Sequence, residues 1–198
     1  MTKSTAQTTK QQIAHAALEA LRSEGFAGAT SRAIARIGGF NQALIFYHYG
    51  SLENLLLAAL DLTSAERMAR YREAVDDAST LEELIEVART IYREDRESGH
   101  VAVVSQMVAG SLARPELAKG MVERIEPWVQ FCEHAISKVI AGSPLERALP
   151  VRELAYGLVS FYLGANLITH LDDETQIDAL FKRVEAMAPA VAAMLGNT

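Results

Sequence analysis

The chain has 198 residues, of which 49% are apolar, so it is long enough to bury a substantial core as one domain or as two small ones. Its net charge of −6 argues against a protein that coats nucleic acid through overall positive charge, and its single cysteine, Cys132, excludes an internal disulfide framework and suits a reducing cytoplasm. We expect neither a signal peptide nor a membrane span, because polar residues interrupt every long apolar run.

The charges are distributed unevenly along the chain. Residues 1–55 hold five basic and three acidic side chains, a balance of +2, whereas residues 56–198 hold fourteen basic and twenty-two acidic ones, a balance of −8. Phosphate attracts a basic surface and is repelled by an acidic one. We therefore expect only the N-terminal part to face a polyanion such as DNA.

A first helix is predicted between Thr9 and Gly25. Thr9 and Gln12 have the spacing of a capping box, which indicates that the helix begins there. Glycine is the residue that most often ends a helix, so Gly25 is expected to end this one. The apolar residues between them recur with helical spacing: Ala14, Ala17, Leu18 and Leu21.

Two shorter helices follow, separated by a glycine turn. Thr30 or Ser31 is expected to cap the second helix, which ends at the Gly38–Gly39 pair. Asn41 is expected to cap the third helix, which continues to Tyr47. Paired helices joined by a turn of this size form the geometry that places the second helix in a groove of DNA.

The stretch from Thr30 to Leu55 resembles the signature of the tetracycline-repressor (TetR) family of transcriptional regulators. The positions that match or conservatively replace that signature are Thr30, Arg32, Ile34, Ala35, Gly39, Ile45, His48, Tyr49, Glu53 and Leu55. The resemblance is strong from about Lys10 to Leu56, which is the first quarter of the chain. It implies a helix-turn-helix DNA-binding domain at residues 1–50 and a ligand-binding and dimerisation domain at residues 51–198.

The remainder of the chain also predicts helices and no strand. We expect a long fourth helix from Ser51 to about Val75, a fifth after the Thr80 cap and a sixth over 101–113. A seventh helix should run from Pro115 to about Ala141, with a kink or restart at Pro127. An eighth from Pro150 is apolar on every side, and a ninth should have a kink at Pro189. About nine helices and no strand alternation predict an all-α fold.

The resemblance also implies which residues contact DNA. Residues of the third helix that would face the major groove are Gln42, Ala43, Leu44 and Tyr47, and residues that would contact phosphate are Thr30, Ser31, Arg32, Tyr47 and His48. A glutamine amide can pair with adenine through two hydrogen bonds. The chain departs from the family at Phe46, where a tyrosine is usual, at Leu52, where a lysine is usual, and at Ala43, where a glycine is frequent.

The C-terminal part is predicted to hold a small-molecule effector. Such sites are mostly apolar and contain a few orienting polar groups, and the residues of this kind on the apolar helices are Tyr92, Gln106, Met107, Trp128, Phe131, Tyr156, Tyr162 and Asn166. Each of them could instead be an ordinary core residue with a satisfied polar tip. The resemblance implies a cavity among the fifth to eighth helices, and this composition favours a hydrophobic or aromatic effector.

The last two helices carry more apolar surface than a monomer needs, which predicts a homodimer joined through a four-helix bundle. The alternative is that these helices merely close the core of the monomer. No enzyme, cofactor or metal site is indicated, since Cys132 and His134 lie two apart and point to different faces of a helix. The hypothesis is therefore a ligand-responsive regulator, a repressor that leaves a palindromic DNA operator when the effector binds. The alternative is an all-α small-molecule binding protein whose helix-turn-helix no longer reads DNA.

Overall fold

The computed structural model describes residues 2–169 and 175–195. Within these residues the chain forms nine α-helices and one short 3-10 turn, so the all-α prediction is confirmed. The helices are α1 (Thr2–Gly28), α2 (Ser31–Gly38), α3 (Ala43–Tyr49), α4 (Leu52–Asp77), α5 (Leu81–Glu97), α6 (His100–Ser111), α7 (Pro115–Ile140), α8 (Val151–Thr169) and α9 (Thr175–Leu195), with the 3-10 turn Pro144–Arg147 before α8.

The first helix is longer than its capping pattern predicts. It already includes Thr2, so the prediction that Thr9 caps its start is wrong. The residues before Thr9 include alanine, lysine and glutamine, which favour helix and extend it towards the N-terminus. The predicted break at Gly25 is present, because Gly25 has φ 70° and ψ 177°, which only glycine adopts without strain.

The turn between α2 and α3 is held by the residues that the sequence indicates. Thr30 caps α2, because its Oγ1 accepts a hydrogen bond from the Ala33 N–H at 3.2 Å. Gly39 ends α2 in the left-handed conformation at φ 67°. The Asn41 Oδ1 then accepts a hydrogen bond from the Ala43 N–H at 2.8 Å and starts α3.

The chain divides into two compact units, Met1–Arg67 with Ala102–Glu123 and Met68–Val101 with Arg124–Thr198. The core of the first unit is formed by the buried faces of α1, α2, α3 and the start of α4. Its fully buried side chains include Ile13, Leu21, Ile34, Ile45 and Leu55. Burial of these aliphatic side chains is the main free-energy gain that holds α2 and α3 in place.

Segment 102–123 completes the core of the first unit. It contributes the buried side chains of Val103, Met107, Leu117 and Met121 to the same hydrophobic cluster. Gly120 lies so close to Leu57 that a methyl group on it would be 2.2 Å from a leucine carbon. The three N-terminal helices therefore do not form a separate bundle, since α6 and the start of α7 share their core.

The second unit is built around aromatic residues of α4 and α7. Tyr71 and Phe131 are buried together, and Trp128 packs against both, with ring centres 6.2 Å from Tyr71 and 6.1 Å from Phe131. Cys132 packs on this cluster, and burial raises the pKa of its thiol to about 11. The Lys138 Nζ donates to the carbonyl oxygens of Val75 and Asp76 at 2.8 Å and 2.5 Å, which satisfies the end of α4.

Two predictions about proline and apolar helices are corrected. The helix α7 continues through Pro127 from Pro115 to Ile140, so no restart occurs there. Apolar residues on every side of the eighth helix predict that it is covered on every side, but within one chain much of α8 is exposed. No helix in the described part of the chain is both long and apolar enough to cross a membrane.

Candidate functional site

The helices α2 and α3 present one buried face and one exposed face. Ile34 and Ile45 are fully buried and fix the pair to the core, whereas Arg32 and Gln42 are exposed. Tyr47 is the most open aromatic side chain of the pair, at 81% exposed. Apolar residues at helical spacing therefore turn the polar residues of both helices towards solvent.

The structure joins the starts of the two helices through Ser31 and Gln42. The Gln42 Nε2 donates a hydrogen bond to the Ser31 Oγ at 2.7 Å. A glutamine amide carries two N–H groups and one carbonyl oxygen, so Gln42 keeps one donor and its acceptor for another partner. The hydrogen bond restrains the exposed Gln42 side chain at the start of α3.

The other predicted DNA contacts lie around this pair. Thr30 is exposed at the start of α2, and its hydroxyl hydrogen is still available because Oγ1 acts as an acceptor in the cap. Ala43 is exposed, whereas Leu44 is half-buried and packs against the core. The half-buried His48 places its ring edge-on to Tyr47, with ring centres 4.9 Å apart.

The three departures from the family pattern have different structural settings. Phe46 is 48% exposed, so an aromatic ring without a hydroxyl stands on the surface of α3. Leu52 packs against the core of the first unit, and no cation stands at that position. Ala43 places a methyl group on the exposed face of α3.

A groove beside α3 was not predicted from the sequence. It has a volume of about 370 Å³ and is lined by Gln7, Lys10, Gln11, Ala14, His48, Tyr49, Asn54, Ala58 and Leu62. The Tyr49 hydroxyl donates to the Lys10 carbonyl oxygen at 2.6 Å, and burial raises the pKa of that tyrosine. Gln7 reaches the groove because α1 begins before Thr9. The predicted start at Thr9 left Gln7 outside the helix, so its position in the groove was not predicted.

Four of the eight predicted ligand residues lie in the second unit, in two neighbouring aromatic groups that Asp95 connects. Tyr92 and Tyr162 have ring centres 6.2 Å apart, and Trp128 and Phe131 lie in the cluster around Tyr71. Phe181 of α9 joins them, with its ring centre 5.7 Å from that of Tyr92. The arrangement is an aromatic cluster with hydroxyl groups at several edges.

A buried carboxylate connects the two sides of this aromatic cluster. Asp95 is only 3% exposed and accepts hydrogen bonds from the Tyr71 hydroxyl at 2.7 Å and from the Tyr162 hydroxyl at 2.5 Å. Asp95 was not predicted from the sequence. Its position was a usable signal, because it stands three residues after Tyr92 on the apolar face of α5, where a carboxylate is unusual.

The other four predicted ligand residues have different settings. Gln106 and Met107 belong to the first unit, where Gln106 is half-buried and Met107 is fully buried in the core. Tyr156 is 63% exposed on the outside of α8. Asn166 is buried, and its Nδ2 donates to the Tyr162 carbonyl oxygen of the same helix at 2.8 Å.

The last two helices expose a large apolar face in the single chain. Its side chains are Leu154, Tyr156, Leu158, Phe161, Leu167 and Ile168 of α8 and Leu180, Val184, Met187 and Val191 of α9. A methyl group placed on Gly157 or Gly164 would meet no atom within 4 Å. Exposed apolar surface of this extent is typical of surfaces that contact another chain.

No group of three or more His, Cys, Asp or Glu side chains in the described residues is arranged to hold a metal ion. His134 has a different partner, since its Nε2 lies 2.6 Å from the Asp76 Oδ1 at the end of α4. Together with Lys138, this contact ties α7 to the end of α4.

The N-terminal part of the chain is similar to known bacterial regulators of transcription. Residues 13–59 match the model described as bacterial regulatory proteins, tetR family. The HTH-type transcriptional regulator UidR of Escherichia coli K12 is 26% identical over 113 residues, which cover 57% of this chain and 57% of UidR. The match thus spans little more than half the length of that relative.

Solved structures show that the likeness extends to the fold of the whole chain. A TetR-family transcriptional regulator of Mesorhizobium loti has a TM-score of 0.70 and 17% identity, with 98% of each chain covered. The regulator FadR of Bacillus subtilis, solved in complex with stearoyl-CoA, has a TM-score of 0.62 and 15% identity, with 93% of this chain and 96% of FadR covered. At these identities the likeness establishes a shared fold alone.

Proposed function

We infer that this chain, which belongs to the tetR family of bacterial regulatory proteins, is a DNA-binding transcriptional regulator and not an enzyme. More specifically, we propose that it is a repressor that binds a palindromic operator as a homodimer and leaves it when a small, mostly apolar molecule binds the second unit. The observation that carries this proposal is the exposed polar face of α2 and α3, which a shared hydrophobic core holds in place.

The exposed face supplies the two kinds of contact that DNA recognition needs. Gln42 keeps an N–H donor and a carbonyl acceptor, which together match an adenine edge in the major groove. Thr30 and Arg32 at the start of α2 supply a hydroxyl and a cation for phosphate, and the N-terminus of a helix adds its own attraction for anions. Phosphate contacts then fix the orientation from which Gln42 reads a base.

A dimer follows from the size of α3 and from the apolar face of α8 and α9. A helix of seven residues reads only a few base pairs, so useful specificity requires two copies. In a two-fold dimer the two α3 helices would meet half-sites about 34–36 Å apart, or a multiple of that spacing. The apolar side chains of α8 and α9 would be buried against the same helices of the second copy.

We assign the effector site to the aromatic cluster around Asp95. The buried rings would supply an apolar lining to a hydrophobic molecule that enters between them, and the hydroxyls of Tyr71 and Tyr162 would orient a polar group on it. Tyr71 lies on α4, the helix that directly follows the DNA-binding pair. A bound effector that displaces Tyr71 would move α4, and the separation of the two α3 helices would no longer fit the operator. Because the coupling is reciprocal, the operator must weaken effector binding by the same factor.

The proposal is tested by selecting duplexes from a random pool with the purified wild-type dimer, followed by affinity measurements against salt. We expect a palindromic consensus and a log–log salt slope of about 0.9 for each neutralised phosphate. Arg32→Gln should reduce that slope, whereas Arg89→Gln, at a half-buried arginine of α5, should leave it unchanged. Failure of the folded dimer to enrich any sequence would favour the alternative of a small-molecule binding protein with a silent helix-turn-helix.

The effector part of the proposal has its own test. Stearoyl-CoA is a suitable first probe, because FadR of Bacillus subtilis was solved with it and shares this fold. A ligand that binds the second unit should release the operator, and Tyr162→Phe should alter the ligand concentration needed for release. A ligand that binds tightly at the Asp95 cluster and leaves operator affinity unchanged would contradict the mechanism.

A further inference from the structure

The break in α1 at Gly25 is held from outside by α6. At Gly25 the ψ angle of 177° rotates the following N–H group away from the axis of α1. The Phe26 N–H donates instead to the Gln106 Oε1 of α6, at 2.8 Å and a sequence distance of eighty residues. A half-buried N–H without an acceptor is costly, so this contact stabilises the break in α1 after Gly25.

The ring of Phe26 is held by the same segment. A methyl group on Gly110 of α6 would lie 2.2 Å from a carbon of this ring, so only glycine permits the observed contact. The guanidinium carbon of Arg114 lies 5.0 Å from the ring centre, which is within the range of a cation–π interaction. The backbone amide and the side chain of Phe26 are thus both fixed by residues 106–114.

Arg114 also contacts the far side of the DNA-binding pair. Its Nη1 lies 3.4 Å from the Glu53 Oε1, in the first turn of α4. Phe26 stands four residues before Thr30, and Glu53 stands four residues after Tyr49. Arg114 therefore connects the segment that enters α2 with the segment that leaves α3, and all of these residues belong to the first unit.

We propose that Gln106 and Arg114 are positioning residues for DNA recognition: they contact no DNA, and they set the orientation of α2 and α3 by holding both flanks of the pair. This inference rests on the proposed function, since it requires that α2 and α3 read DNA. It gives Gln106 a role different from the ligand contact that its sequence position predicts. If Gln106 and Arg114 position the pair, the position of α6 also affects operator affinity, independently of any movement of α4.

The decisive variant is Gln106→Met, which keeps the length of the side chain and removes the acceptor. A half-buried amide that loses its hydrogen bond destabilises the observed orientation of α2 by roughly enough to shift an equilibrium tenfold. Because operator binding requires that orientation, we expect operator affinity to fall by about tenfold. Gln106→Glu retains an acceptor oxygen and should keep affinity within about twofold of wild type. Gln130→Met is the matched control, because Gln130 is exposed on α7 in the second unit.

A second pair of variants tests the other contact without affecting the core. Arg114→Gln removes the interactions with Phe26 and Glu53 from an exposed side chain, so the protein should fold normally. Lys119→Gln removes the same charge from an exposed position of α7, five residues further along the chain. The two changes alter long-range electrostatics equally, so any difference between them reports the contacts of Arg114 with Phe26 and Glu53. We expect Arg114→Gln to weaken operator binding by several-fold more than Lys119→Gln does.

Amide hydrogen exchange separates positioning from general stability and does not depend on DNA. In Gln106→Met the amides from Phe26 to Ala33 should exchange faster, while those of α5 should keep wild-type rates. Uniform acceleration throughout the protein, or unchanged protection of Phe26 together with unchanged operator affinity, would overturn the inference. If the wild type binds no duplex at all, the proposed function fails, and the exchange rates still decide whether Gln106 holds the break in α1.

Discussion

Gln42 is the side chain from which base recognition follows most directly. Its hydrogen bond to Ser31 fixes the amide, and a bidentate contact of this kind discriminates between bases by about 1–3 kcal/mol. We expect Gln42→Ala to relax the preference at one base pair in each half-site and to leave the remainder of the consensus intact. The measurement is a repeated duplex selection with the variant, with Gln130→Ala as control, and an unchanged consensus would exclude Gln42 as a reader.

Cys132 supplies a prediction about pH. Burial raises its pKa from about 9 to about 11, so the thiol stays protonated in the folded protein at pH values where an exposed cysteine ionises. Since the folded pKa lies above the unfolded one, the pKa difference lowers stability as pH rises from about 9 to about 11 and has no effect below that range. Alkylation of the native protein should therefore have its midpoint near pH 11. A midpoint near 9 would show that the thiol is exposed.

At the scale of single helices, Thr30 is proposed both to cap α2 and to contact DNA phosphate. Comparison with Thr80, which only caps a helix, separates the two roles. Thr30 caps α2, and Thr80 caps α5 in the same way, with oxygen–nitrogen distances of 3.2 Å and 3.1 Å. Each Thr→Ala change should lower the free energy of unfolding by about 1 kcal/mol. Thr30→Ala should in addition weaken operator binding by about tenfold, because a hydrogen bond to a charged phosphate is lost. Equal operator affinities of the two variants would show that Thr30 does not contact DNA.

Helix ends were predictable where one residue type is strongly preferred. The Thr30 cap, the Gly38–Gly39 turn and the Thr80 capping box all occur as expected, since each satisfies backbone groups at a helix end that have no partner within the helix. Thr9 failed as a signal, because a threonine can also stand inside a helix and the residues before it favour one. Local patterns therefore located the turns more reliably than the start of α1.

Long-range contacts were beyond the reach of sequence patterns. The pairing of Phe26 with Gln106 joins residues eighty positions apart, and no spacing rule connects them. Asp95 was passed over because charged residues on helices are usually exposed, whereas here two tyrosine hydroxyls compensate its burial. The exposed face of α2 and α3 was predicted from the family signature, while its support by segment 102–123 required the structure.

At the scale of the whole molecule, the apolar face of α8 and α9 predicts the oligomeric state. Phe161 is 52% exposed on α8 in the single chain, and a carboxylate there would be buried without a partner in a dimer. We expect Phe161→Asp to shift the protein from dimer to monomer in analytical ultracentrifugation. Leu112→Asp is the control, because Leu112 is 89% exposed after the end of α6 and should leave the dimer intact. A dimeric Phe161→Asp variant would place the interface elsewhere.

The dimer and the DNA-binding helices are tested together by the spacing of the operator. Affinity of the wild-type protein should be measured for its selected palindrome and for the same duplex with about half a helical turn inserted between the half-sites. If one dimer places two α3 helices in successive major grooves, the insertion turns one half-site to the opposite face of the DNA and should reduce the affinity to that of a single half-site. Equal affinity for both duplexes would contradict recognition by a two-fold dimer through α3.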